Sequence, residues 1–90
     1  RALADINNIT GYIAQDNFEA ALKIRNMIKQ ACELIGNNPY IGQERKDLTA
    51  RDVRFWSLHN NYMIIYNPTT KPVQILRVYN TAQDIGNVLH

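Results

Sequence analysis

Tyr62-Met63-Ile64-Ile65-Tyr66 is the stretch on which the fold turns: five residues without a charge, apolar on both parities. A half-exposed strand alternates apolar and polar, whereas a strand covered on both faces does not. These residues therefore read as a central strand. Upstream, Val53-Arg54-Phe55-Trp56-Ser57-Leu58 has the β-branched and aromatic composition of a second strand, and His59-Asn60-Asn61 between the two is a turn signal. Downstream, Asn67-Pro68-Thr69-Thr70-Lys71-Pro72 reads as a loop and Val73 to Tyr79 as a third strand. Connections this short demand antiparallel neighbours.

The segment before Pro39 has the other period. Leu3, Ile6, Ile9 and Ile13 recur at spacings of three and four, the stripe of an amphipathic helix. Asp16-Asn17 interrupts it. Asp16 is the expected cap of a second helix, with Glu19 three residues on as in a capping box. Phe18, Ala21, Leu22, Ile28, Ala31, Cys32 and Ile35 form its expected apolar stripe, and Gly36 marks its end. Two helices on so short a link make a helical hairpin. Residues 40–51 are polar and irregular, with Gly42 and the charged run Glu44-Arg45-Lys46-Asp47, and a short strand is expected to begin among them. Thr81 to Leu89 reads as a short closing helix, with Thr81 as cap and Asp84 in its first turn. Helices first and a meander second give an α+β class: a helical hairpin packed on a small antiparallel β-sheet. The sheet's second face has no later element large enough to cover it, although the C-terminal segment could shield part of it; a face left open implies a partner.

Ninety residues make one domain, 1–90, with one modest core. At 46% hydrophobic and 20% charged residues, the chain is an ordinary globular composition rather than a disordered one. The net charge of +2 is uneven. Residues 45–77 carry Arg45, Lys46, Arg51, Arg54, Lys71 and Arg77 against only Asp47 and Asp52. That half suits an anionic partner, nucleic acid or an acidic protein segment, and it equally suits a solvated sheet edge. The single cysteine, Cys32, forms no internal disulfide, which fits a reducing compartment. It falls on the apolar stripe and reads as a core thiol. No apolar run nears the ~20 residues of a membrane span. No signal peptide is apparent. There is no initiator Met and the chain opens on a helical pattern, so a segment before Arg1 is expected to be missing.

Several chemistries find no residues. The four glycines are scattered, so there is no phosphate loop. His59, His90 and one Cys offer no metal-ligand spacing, and no cofactor is implied. His59 titrates near neutrality but lies in an expected exposed turn. Phe55 and Trp56 both read as core. Arg54 and Arg77 sit inside apolar strands, where an arginine is costly unless paired or exposed. Tyr79 shares the parity of Arg77 and points the same way. Arg45, Arg54, Arg77 and Tyr79 are therefore the candidate target-binding residues. On an open face they suit a phosphate or an acidic peptide. Pairing with Asp47 or Asp52 is the structural alternative.

Taken in order, Ala4-Asp5-Ile6, Tyr12-Ile13-Ala14, Asn17-Phe18-Glu19-Ala20-Ala21, Cys32-Glu33-Leu34, Pro39-Tyr40-Ile41-Gly42, Arg45-Lys46-Asp47-Leu48, Asn61 to Tyr66, Ile75-Leu76-Arg77-Val78 and Gln83-Asp84-Ile85 resemble the RelE/ParE toxin superfamily, leaning to its ParE-like branch. The resemblance spans nearly the whole chain. It implies a leading strand (here expected before Arg1), then a helical hairpin and an antiparallel sheet. It further implies a bacterial, cytoplasmic type II toxin in a hetero-oligomer with a cognate antitoxin. The antitoxin would lie along the hairpin and sheet edge, over ~800 Å² per side. ParE-like members poison DNA gyrase, the expected target. RelE-like members cut mRNA in the ribosome, the alternative. Where ParE-like proteins often read hydrophobic-His-Gly after the last strand, this chain has Tyr79-Asn80-Thr81. Asn80 cannot titrate near neutrality. Cleavage of RNA needs a base for the 2′-hydroxyl, and only His59 or Glu44 remains, so binding rather than chemistry is expected.

Overall fold

The computed structural model describes residues 2–47, 49–58 and 62–81. It contains α1 (Ala2–Asp16), α2 (Phe18–Asn37), β1 (Arg54–Leu58), β2 (Tyr62–Asn67) and β3 (Gln74–Asn80). The expected class holds: a helical hairpin lies on one face of a three-stranded antiparallel sheet of order β1-β2-β3. The expected turn at His59-Asn60-Asn61 and the closing helix beyond Thr81 lie outside the described residues.

The hairpin link is a single residue. Asp16 belongs to α1, so it is not the expected cap; Asn17 takes that role, with extended backbone (φ −154°, ψ 102°). Its side chain accepts from the Ala20 amide at 3.1 Å, satisfying one of the otherwise orphaned first-turn donors. The residue three past Asn17 is Ala20, so no capping box forms and Glu19 simply sits in the first turn. At the far end α2 runs one residue past Gly36. The Asn38 amide closes it on the carbonyls of Leu34 and Ile35.

The central-strand reading of Tyr62–Tyr66 is correct, and the two parities feed different clusters. Ile64 and Tyr66 face the helices and pack with Ile28, Ala31, Ile35 and Val78. Ile6, Ile9, Cys32 and Trp56 flank this core. Ile65 faces the other way and packs with Val53, Phe55 and Tyr79. Phe55 and Trp56 thus both contribute to packing, as expected, on opposite faces. The second face is not the open one predicted from sequence: Phe55 is 3% exposed, Ile65 2% and Tyr79 2%. Burying each large apolar side chain stabilises by about 1.5–3 kcal/mol.

Leu3, Phe18 and Leu22 depart from their expected burial, at 67%, 66% and 47% exposed. At 100° per residue, Ala21, Ile28, Ala31 and Ile35 cluster on one side of α2, and Phe18 and Leu22 lie about 100° round from it. The apolar set of α2 is therefore two stripes, and the sheet takes only one.

A bulge between Ile65 and Tyr66 pairs Ile65 with Arg77 but Tyr66 with Ile75, leaving Leu76 as the extra residue. It turns Ile75 toward the helices while Arg77 keeps the opposite face. The strand expected in residues 40–51 is reduced to one bridge, Gln43 with Phe55, made by 2.9 and 2.8 Å hydrogen bonds. Beside it the buried Gly42 amide donates to the Tyr66 hydroxyl at 2.8 Å. A Cβ on Gly42 would lie 2.6 Å from that hydroxyl oxygen and 2.9 Å from the Phe55 carbonyl. Glycine is required there by space.

Tyr66→Phe strands the buried Gly42 amide and should lower stability by about 1–2 kcal/mol. Gly42→Ala must move backbone as well and should cost about 1–3 kcal/mol. Urea unfolding followed by circular dichroism measures both; wild-type midpoints would contradict this account of the loop.

Candidate functional site

Arg77 leaves the second sheet face by bending over the edge of β3 to reach α1. Its Nε and Nη2 donate to the two Asp5 carboxylate oxygens at 2.7 and 3.0 Å. The Val78 amide donates to the same Asp5 carboxylate at 3.0 Å. A helix side chain thus stands where a neighbouring strand's carbonyl would be. The carboxylate beside it holds the Arg77 guanidinium even more firmly protonated than usual. The partner is Asp5, not Asp47 or Asp52 as the structural alternative supposed.

Arg54 lies on the opposite sheet face. It pairs across to Tyr66, on the helix side. Its Nη1 donates to the carbonyls of Gly42 at 2.7 Å and Tyr40 at 3.3 Å. Its guanidinium sits 5.0 Å from the Tyr40 ring centre and 3.6 Å from the Glu44 carboxylate. Arg54 therefore fastens loop 40–44 to the sheet, and Glu44, one of two candidate bases, is engaged in that ion pair. The other, His59, lies outside the described residues.

Arg45 makes a two-point contact with Asp47 at 3.0 and 2.9 Å on the surface. The hydrogen bond from Arg45 holds the Asp47 carboxyl below its ordinary range. Tyr79 shares the Arg77 face, as its parity predicted, but it is buried. Its hydroxyl has no hydrogen-bond partner among the described residues. Burial pushes the phenol up, and the nearby Arg45 charge pulls it partly back. The four candidates therefore do not form one cluster. Arg45 approaches Tyr79, Arg77 is drawn to Asp5, and Arg54 is on the other face. Among the described residues no three metal-ligating side chains gather, and no helix is long and apolar enough to cross a membrane.

Sequence reasoning missed two features. One is Asp5 itself. The other is the outer groove of the hairpin. There Arg25 Nη2 donates to Asn7 at 2.9 Å and Thr10 at 3.1 Å, clipping α2 to α1. Beside this clip Gly11, Ala14, Phe18 and Leu22 line a recess of about 250 Å³. The signal was present as the spacing of Phe18, Leu22 and Arg25, merged with the core stripe.

A hairpin on a small antiparallel sheet, laced by Asp5 to the last strand, is the setting in which the family comparison is decisive. The chain matches, over residues 1–85, the model of the ParE toxin of the type II toxin-antitoxin system, parDE. It belongs to the ParE toxin family. No curated protein matches the chain. Family membership makes this a toxin-antitoxin protein, with an antitoxin as the implied partner.

Asp5→Ala removes the carboxylate that takes two Arg77 hydrogen bonds and the Val78 amide. The pair is only partly exposed, at 25% and 13%. A loss of about 2–3 kcal/mol is expected, below the 3–5 of a fully buried pair. Chemical denaturation of the variant checks this, and a change under 0.5 kcal/mol, the ordinary surface range, would refute it. Cys32 is half-buried and burial raises its thiol pKa, so less thiolate is present at a given pH. Iodoacetamide at mildly alkaline pH should label it at least about tenfold more slowly in the folded chain than in urea; equal rates would place it at the surface.

Proposed function

We propose that this ParE-family toxin acts by binding DNA gyrase in the bacterial cytoplasm and is held inactive by a cognate antitoxin in a hetero-oligomer. The observation that carries the reading is the commitment of its basic and aromatic side chains. Arg54 is spent on loop 40–44, Arg77 on Asp5, and Tyr79 is buried. Groups so engaged shape a surface; they are poorly placed to stabilise a phosphorane or move a proton. Arg45 has the most accessible side chain of the four, 39% exposed, and is the first choice for a direct target contact. The other three position the surface around it. Cleavage of ribosome-bound mRNA is the less supported reading, because it needs the Arg77–Tyr79 pair presented together with a base.

Purified toxin, released from antitoxin, should inhibit gyrase supercoiling at micromolar concentration. Antitoxin added back should restore activity. Arg45→Ala should weaken inhibition several-fold while leaving the fold intact. Unimpaired supercoiling, or new mRNA cuts at the ribosomal A site, would overturn the proposal.

A further inference from the structure

The C-terminal end of α2, residues 39–40 and the loop between β2 and β3 meet around a recess of about 490 Å³, walled by Pro39, Tyr40, Pro68 and Pro72. That volume lies in the ~300–1,000 Å³ range of ligand pockets. Tyr40 also borders a neighbouring hollow with Ile41. Its ring is 63% exposed and yet held. The Arg54 guanidinium lies 5.0 Å from the ring centre and donates to the Tyr40 carbonyl at 3.3 Å. An aromatic surface that is fixed and left bare loses little entropy when another ring stacks on it.

The polar groups around this recess are one-sided. Pro39, Pro68 and Pro72 have no N–H. The amide and hydroxyl of Thr69, on its lining, both donate to the Asn67 side chain, and the Thr70 hydroxyl donates to the Asn67 carbonyl. At the helix end the Asn38 amide takes the carbonyls of Leu34 and Ile35. That leaves the carbonyl of Gly36, another lining residue, with no backbone donor from beyond the helix among the described residues. Lys71 is the one charged residue on the lining; it is exposed and makes no salt bridge among the described residues.

We propose that this recess receives an aromatic side chain of the protein target, a tryptophan or tyrosine with a carboxylate beside it. The proposal rests on the reading of the chain as a gyrase-binding toxin and gives that target a contact additional to Arg45. The incoming ring stacks on Tyr40 and fills the space between the prolines. Its N–H or O–H supplies a donor where the lining offers acceptors, and the carboxylate meets Lys71. A proline-rich segment is less well matched, because its carbonyls need donors that the loop has turned toward Asn67. Nucleic acid is less well matched too: a phosphate would face the negative end of α2 with one lysine to hold it. In a second copy of the chain, Trp56 packs against the helical core, and the exposed Tyr12 would join copies head to tail without a self-complementary patch.

Two measurements on the full chain test this. In the first, the peptide acetyl-Asp-Trp-amide is titrated into isotope-labelled protein and followed by NMR. It should shift the amides of Tyr40, Lys71 and Val73 in the millimolar range. Acetyl-Asn-Trp-amide should bind several-fold more weakly and acetyl-Asp-Ala-amide should shift nothing there. In the second, gyrase affinity and inhibition are measured for variants at two exposed positions, whose folding circular dichroism verifies. Tyr40→Ala and Lys71→Glu should each weaken gyrase binding about tenfold, the latter less at high salt, while Tyr40→Phe, which keeps the ring, stays near wild type. Wild-type gyrase binding in both variants, or a tryptophan peptide that shifts nothing at the recess, overturns the proposal and leaves the gyrase reading standing. A wild-type chain that neither binds nor inhibits gyrase overturns both. Shifts at Tyr40 from oligothymidine but not from the peptide make nucleic acid the occupant, and self-association that Tyr12→Ala abolishes makes it a second copy; either result overturns the proposal.

Discussion

Asp5 is where the two halves of this protein are joined. One carboxylate takes the Arg77 guanidinium with both oxygens and the outward-facing Val78 amide with one of them. An edge strand presents unpaired amides that invite another strand. Here part of that edge is answered by a helix, which also fixes how α1 lies against β3. Arg77, costly inside an apolar strand, becomes the means of attachment. The bulge at Leu76 matters for the same reason. It gives Ile75 to the core while leaving Arg77 on the face from which it can reach round the edge.

A second set of contacts does the equivalent work at the other end of the sheet. Tyr66, fully buried, accepts the Gly42 amide, and Arg54 takes two carbonyls of the same loop. Gln43 then pairs with Phe55. The loop between hairpin and sheet is thereby held at several points, although it has almost no regular structure. Polar groups that look like a binding site in a linear reading are consumed in holding the chain together.

What remains available lies elsewhere. The groove of the hairpin, where Phe18 and Leu22 stand exposed beside the Arg25 clip, is apolar surface that the sheet does not take up. A small toxin of this family must fold stably and still present surface to partners. In a chain of 90 residues the same helix serves both needs by carrying two stripes.

The sequence by itself determined the α+β class, the hairpin, the central strand and the shared direction of Arg77 and Tyr79, because all of these follow from local periodicity and turn chemistry. The order of its motifs also pointed to the family. Only tertiary structure decided what the candidate residues do. Arg77 meets Asp5, 72 positions away along the chain, and Arg54 meets carbonyls at Tyr40 and Gly42. No period encodes such pairings; they depend on which elements pack side by side. Likewise the periodicity of α2 could not say which of its two adjacent apolar stripes the sheet would bury. That was settled by the crossing of α2 over Ile64, Tyr66 and Val78, which left Phe18 and Leu22 outside.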